Sequence, residues 1–333
     1  MRKSYITILK CISAIAVVFL HTNGCFWFFS YEPYWKTANV IESLFYFAVP
    51  VFYMISGATL IDYRERYDTK EFFAKRIRKA FIPYLFWSFA LYFFIVFAKY
   101  KSFSSVTVSE LFNIGLNGDS LDFFIPLFGI YLSMPIITAI NKDLRDKVFI
   151  YSAVIAGILN ISMPFICALF GFEYKGMTLL AGTGALFYVF VGVLLDKKEL
   201  AKRTRLIIYA TGMVGLLAQI IGTYFLSYLK GEIVETFKGY FNLPGALYAI
   251  AVFLFFKTVA NNKQTLKLVE IVANCSLEIY FFNSILISSI RDVFGLDRYS
   301  LIFRLGMPFI IIPICIGITW VLRKMPVVKK LVP

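Results

Sequence analysis

Histidine occurs once in this chain, at His21, and cysteine only five times, at Cys11, Cys25, Cys167, Cys275 and Cys315. A zinc site draws on four such ligands at short spacings. With no Cys-x-x-Cys pair and a single imidazole, no metal is expected, and the cysteines read as small apolar packing residues. Charge is also scarce. Charged residues make up 16% of the chain and hydrophobic residues 59%, against about 25% and 45–50% in an ordinary soluble domain. That excludes a water-soluble globule of the usual kind. No hydrophilic stretch is long enough for an appended soluble domain, and no internal repeat is evident, so residues 1–333 are expected to form one membrane-embedded domain.

What the chain does have is apolar runs of membrane-spanning length. The mean hydropathy is +0.74. Ten spans can be drawn, at 6–22, 40–60, 80–97, 121–140, 148–170, 178–195, 206–228, 241–259, 272–290 and 301–322. The expected fold is all-α, a polytopic transmembrane helical bundle. Arg2 and Lys3 ahead of the first run superficially resemble a signal peptide. No small-x-small site follows, so the segment is expected to stay. The formal charge of +14 invites a nucleic-acid partner. Its distribution removes that reading: of 34 Lys and Arg, 23 fall in the termini and even-numbered loops, 8 in the odd-numbered loops, and Lys10, Lys257 and Arg304 within spans. This positive-inside pattern predicts both termini in the cytoplasm and assigns the basic excess to topology and to membrane lipid.

Lys10 precedes His21 by eleven residues in the first span. On a helix that spacing is about 1100°, roughly 20° past three turns, and about 16 Å along the axis, so both side chains share one face. An ionisable group within a span marks a candidate functional site. Imidazole titrates near neutrality and can take a proton from a hydroxyl. His21 therefore reads either as a general base or as an interfacial residue satisfied by a carbonyl or water.

Three further segments carry polar groups. The cluster Lys75, Arg76, Arg78 and Lys79 leads into Pro83 and the third span. It is either a topology determinant on anionic lipid or a phosphate clamp, since guanidinium groups bind phosphate oxygens bidentately. In the second span Pro50 frees a backbone carbonyl, and Ser56-Gly57 permits close helix approach or a cavity lining. The ninth span holds Glu278, Tyr280 and Asn283. A carboxylate there is costly unless paired, so Glu278 is expected to find Lys10 or Arg76, or to stay protonated. Asp122, near the fourth span, poses the same question.

Taken in order, these segments resemble the integral-membrane acyltransferase 3 family, whose members O-acetylate bacterial surface polysaccharides and related glycans. The run Ile8 to His21 resembles the family's first-span signature, an arginine and a histidine with ten residues between. Val49-Pro50-Val51-Phe52-Tyr53-Met54-Ile55-Ser56-Gly57 resembles the second-span signature, and Arg76 through Tyr84 the basic-to-proline approach to the third span. Ile130 to Pro135 and Ser276-Leu277-Glu278-Ile279-Tyr280 resemble two later segments.

The resemblance implies that His21 is the essential histidine and that acetyl-CoA is the donor. Lys10, Arg76, Arg78 and Lys79 would hold the coenzyme, and Ser56, Glu278, Tyr280 and Asn283 would line the site. It also implies a bacterial cytoplasmic membrane and a glycan or lipid-linked glycan acceptor. Four positions depart from the pattern. Lys10 replaces arginine, keeping the charge without the bidentate geometry. Thr7 stands for an aspartate, and Ser120 and Asn283 stand for histidines. His21 is thus expected to lack its commonest polar company. Two other functions stay open at this level: a carrier or flippase for a lipid-linked glycan, and a structural partner in a glycan assembly complex. The abundant aromatics, 37 Phe and 21 Tyr, suit sugar contacts in an enzyme or a carrier.

Overall fold

The computed structural model describes residues 3–100, 107–117, 121, 123–260, 264–326 and 328–332, with no strand among them. The helices run α1 (Ser4–Thr22), α2 (Pro33–Phe45), α3 (Ala48–Leu60), α4 (Thr69–Arg76), α5 (Ile82–Tyr100), α6 (Val108–Asn117), α7 (Phe124–Thr138) and α8 (Lys142–Ala156). They continue with α9 (Met163–Leu169), α10 (Ala185–Lys197), α11 (Lys202–Lys230), α12 (Leu243–Ala260), α13 (Lys267–Asn274), α14 (Ser276–Phe294) and α15 (Leu301–Lys324). In so apolar a chain each segment satisfies its backbone by itself, which helices do and open strands do not.

Among the described residues, seven helical segments are long and apolar enough to cross a membrane. The number is eight if α13 and α14, bent by 72° across Cys275, form one span. Ten were expected. The fourth and sixth are present as α7 and α10, of only 15 and 13 residues. Gly182 and Gly184 interrupt the chain just ahead of α10, so residues 178–184 stay out of that helix. Ser120 and Asp122 lie outside the described residues.

The axis of the bundle is α1. It packs against α2, α3, α12, α13, α14 and α15, and residues such as Leu9, Ala16 and Val18 are fully enclosed. A helix apolar on all sides belongs in a core. Pro50, the third residue of α3, has no N–H for the carbonyl four residues back, that of Tyr46, and the turn at residues 46–47 between α2 and α3 falls at that carbonyl.

A close helix contact joins α3 and α10. A Cβ on Gly192 would fall on the Met54 backbone, and one on Gly57 would lie 3.0 Å from the Val189 Cα. Small residues of this kind let two backbones approach without water between them. Gly192→Ala is expected to cost about 1–3 kcal/mol through overpacking, read as a lower unfolding midpoint of the detergent-purified protein. An unchanged midpoint would show that the contact relaxes freely.

Candidate active site

Lys10, Ala14, Val17 and His21 follow the i, i+4, i+7, i+11 rule and form one stripe of α1. Two cavities open onto that stripe. The first, about 160 Å³, is lined by Lys10, Ala14 and Val17 together with Ser56, Thr59, Arg76, Tyr131 and Ser276. The second, about 510 Å³, is lined by Val17, Leu20 and His21 together with Trp27, Glu42, Tyr53 and Tyr240. Val17, Phe123 and Tyr280 belong to both, so the two chambers adjoin at these side chains, midway along the stripe.

In the first chamber the Arg76 guanidinium lies 5.5 Å from the ring centres of both Phe72 and Tyr131. Such stacking suits a guanidinium better than an ammonium. Its buried Nε–H has no acceptor among the described residues. Ser56 donates its hydroxyl to the Phe52 carbonyl at 2.9 Å, which stabilises its rotamer on α3. Arg78 and Lys79 are elsewhere. They occupy the exposed π-helical turn Ile77–Phe81 that joins α4 to α5, outside the lining. Lys75 is paired with Glu71 at 2.8 Å.

In the second chamber His21, which lacks the commonest polar company of the pattern, has other polar neighbours. Its Nδ1 meets the Asn283 Oδ1, and the Ser284 hydroxyl lies 2.9 Å from the same nitrogen. Asn283 is fully buried, and its amide donates to the Ile279 and Tyr280 carbonyls at 2.8 and 3.0 Å. With both N–H bonds committed to those carbonyls, the amide oxygen must face His21. Nδ1 then carries the proton, and Nε2 is left as the basic nitrogen. The asparagine performs the orienting task expected of a second polar residue, and from a position 262 residues away.

Glu278 also differs from expectation. It pairs with Arg323 of α15 at 2.9 Å, not with Lys10 or Arg76. The reason is helical phase: Tyr280, two residues later, points about 200° away. Tyr280 therefore reaches the chambers while Glu278 faces α15. Its second oxygen has no partner.

Reading the sequence missed Glu42, Lys238 and Arg304, all nearly inaccessible. Glu42 stands within the second expected span, and the argument that singled out Glu278 applies to it equally. Lys238 and Arg304 gave weaker signals, since loop and span-edge cations are common. Lys238 donates to the Asn39 side chain at 2.6 Å. Burial pulls its ammonium below the usual lysine range, opposed by Glu42 and Glu235. Among the described residues no group of three His, Cys, Asp or Glu could hold a metal ion.

The sequence profile of the acyltransferase 3 family, described as an acyltransferase domain, matches residues 3–323. The chain belongs to the acyltransferase 3 family. No match was found among curated proteins or solved structures. In this acyltransferase the Glu278–Arg323 pair joins α14, which bears the His21 partner, to α15. Glu278 is buried but the Arg323 side chain is 36% exposed, so removing the arginine leaves an unpaired buried carboxylate at a cost below the roughly 3–5 kcal/mol of a fully buried pair. Arg323→Ala is expected to lower the unfolding midpoint markedly, and adding Glu278→Gln is expected to recover most of it. Equal midpoints for the wild type and Arg323→Ala would rule the pair out as a structural tie.

Proposed function

We propose that this acyltransferase transfers an acetyl group from cytoplasmic acetyl-CoA to a hydroxyl of a cell-surface or lipid-linked glycan at a bacterial cytoplasmic membrane. The observation that carries the reading is the run of two chambers along one stripe of α1, cationic at one end and basic at the other. The positive-inside pattern supports placing the cationic end toward the cytoplasm.

At about 160 Å³ the first chamber is too small for a nucleotide, so only the pantetheine arm would enter it. The phosphates would therefore remain at its mouth, near the exposed Arg78 and Lys79. Arg76, with an uncommitted Nε–H, and Lys10 deeper in would draw the arm inward. The thioester carbonyl would reach Val17 and Tyr280. From the other side an acceptor hydroxyl would approach His21. Nε2 takes the hydroxyl proton as the oxygen attacks the carbonyl carbon. The carbon–sulfur bond breaks, the CoA thiolate leaves, and it recovers a proton from the imidazolium. Transfer through an acetyl-His21 intermediate uses the same groups in two steps.

His21→Ala is expected to lower glycan acetylation about 10²–10⁴-fold at matched protein level, measured by mass spectrometry of surface glycans. Unchanged acetylation would eliminate the base. A chemistry-free carrier needs no coenzyme, so CoA separates the two readings. CoA is expected to raise the unfolding midpoint of the wild type and not of Arg76→Ala/Arg78→Ala. No shift at saturating CoA would favour the carrier.

A further inference from the structure

The transfer reading uses His21 and the cationic chamber but leaves unexplained a buried carboxylate in the same space as the imidazole. Glu42 of α2 is 2% exposed and lines the His21 chamber. It is rigidly held. One carboxylate oxygen, Oε2, accepts the Asn23 amide at 2.9 Å, and the same amide donates to the Ala38 carbonyl at 2.9 Å. The Asn23 oxygen in turn receives Arg304 at 3.5 Å. Arg304 is 1% exposed and anchored by the Thr37 hydroxyl at 2.8 Å and the Tyr34 carbonyl at 3.3 Å.

The Lys238 ammonium acts on Glu42 electrostatically from the loop before α12. With Arg304 beyond Asn23, the carboxylate has positive groups around it on the protein side. Its surroundings therefore hold little negative potential for a cationic ligand. They leave an acceptor atom suited to a hydroxyl donor. Around it stand Trp27, Tyr53, Phe123, Tyr240 and Tyr280. Aromatic rings offer apolar faces with polar edges, which fits a sugar, whose C–H faces are apolar and whose edges are hydroxyls. The chamber volume of about 510 Å³ lies within the range of small-ligand sites.

The geometry points to Glu42 as the acceptor-positioning residue: its carboxylate receives a second hydroxyl of the acceptor sugar, which rests on the aromatic wall, so that the reacting hydroxyl faces the His21 Nε2. This deepens the transfer reading and rests on it for the identity of the reacting group. It adds a specificity element on the side opposite the coenzyme. A site that hydrogen-bonds a substrate hydroxyl discriminates strongly against analogues lacking it, because its buried polar atom is then left unpaired.

The test uses surface glycan from the expressing cells, stripped of O-acetyl groups by mild alkali, radiolabelled, and bound to the detergent-purified full chain in equilibrium dialysis. Glu42→Gln keeps the shape and an oxygen for Asn23 but turns an N–H toward the chamber. It is expected to weaken glycan binding about tenfold or more, with Glu42→Asp intermediate. Trp27→Ala is expected to weaken binding through lost stacking. The CoA midpoint shift serves as the fold control and is expected to be the same in Glu42→Gln as in the wild type. Equal glycan affinity in the wild type and Glu42→Gln would overturn the assignment, as would no binding by the wild type. Glycan bound through Glu42 yet never acetylated with acetyl-CoA present would sink the transfer reading instead and leave Glu42 standing.

Discussion

A polar group inside this bundle has almost no water to turn to, so each one must be satisfied by another part of the chain. The rest of the architecture answers that demand. His21 on α1 is held by Asn283 of α14, Arg304 of α15 reaches Glu42 through Asn23, and Glu278 of α14 is held by Arg323 of α15. The first two ties join segments remote in sequence; the third links the consecutive helices α14 and α15, both of which pack against the axial helix. Hydrophobic packing alone would not choose among rotations of these helices about their own axes, because apolar faces are nearly interchangeable. Buried hydrogen bonds are directional, and a missed one leaves a desolvated donor or acceptor.

The same demand gives the two chambers different characters. At the cationic end the flexible, charged residues of the π-helical turn Ile77–Phe81 remain outside, and only Arg76, stacked on Phe72 and Tyr131, is drawn in. At the His21 end the polar atoms are few, fixed and ringed by aromatics. Between them Val17, Phe123 and Tyr280 carry no charge. A helix rises about 1.5 Å per residue, so a rigid α1 also sets how far apart the two ends stand.

Close helix approach is the second constraint. The contact of α3 with α10 depends on glycine at Gly192, facing the Met54 backbone. The α3 helix supplies Ser56 to the first chamber and Tyr53 to the second. A looser contact here would displace both walls together. Packing far from His21 is thereby coupled to the shape of the space that His21 faces.

Read by itself, the sequence determined the helical class, the membrane environment, the family and the shared face of Lys10 and His21. The family was legible as a resemblance carried by motifs in order; the rest follows from local rules: apolar run length, charge in alternate loops, and 3.6 residues per turn. Only the tertiary structure decided which polar groups meet. It set the Asn283 amide on His21, gave Glu278 to Arg323, left Arg78 and Lys79 outside the chamber lining, and brought Glu42 into the His21 chamber. It also shortened two expected spans to 15 and 13 residues. The physical reason is that periodicity states which residues share a face but not which helix that face meets. The partner is chosen by packing and hydrogen-bond satisfaction between segments up to 282 residues apart, and a single local window carries no information about either.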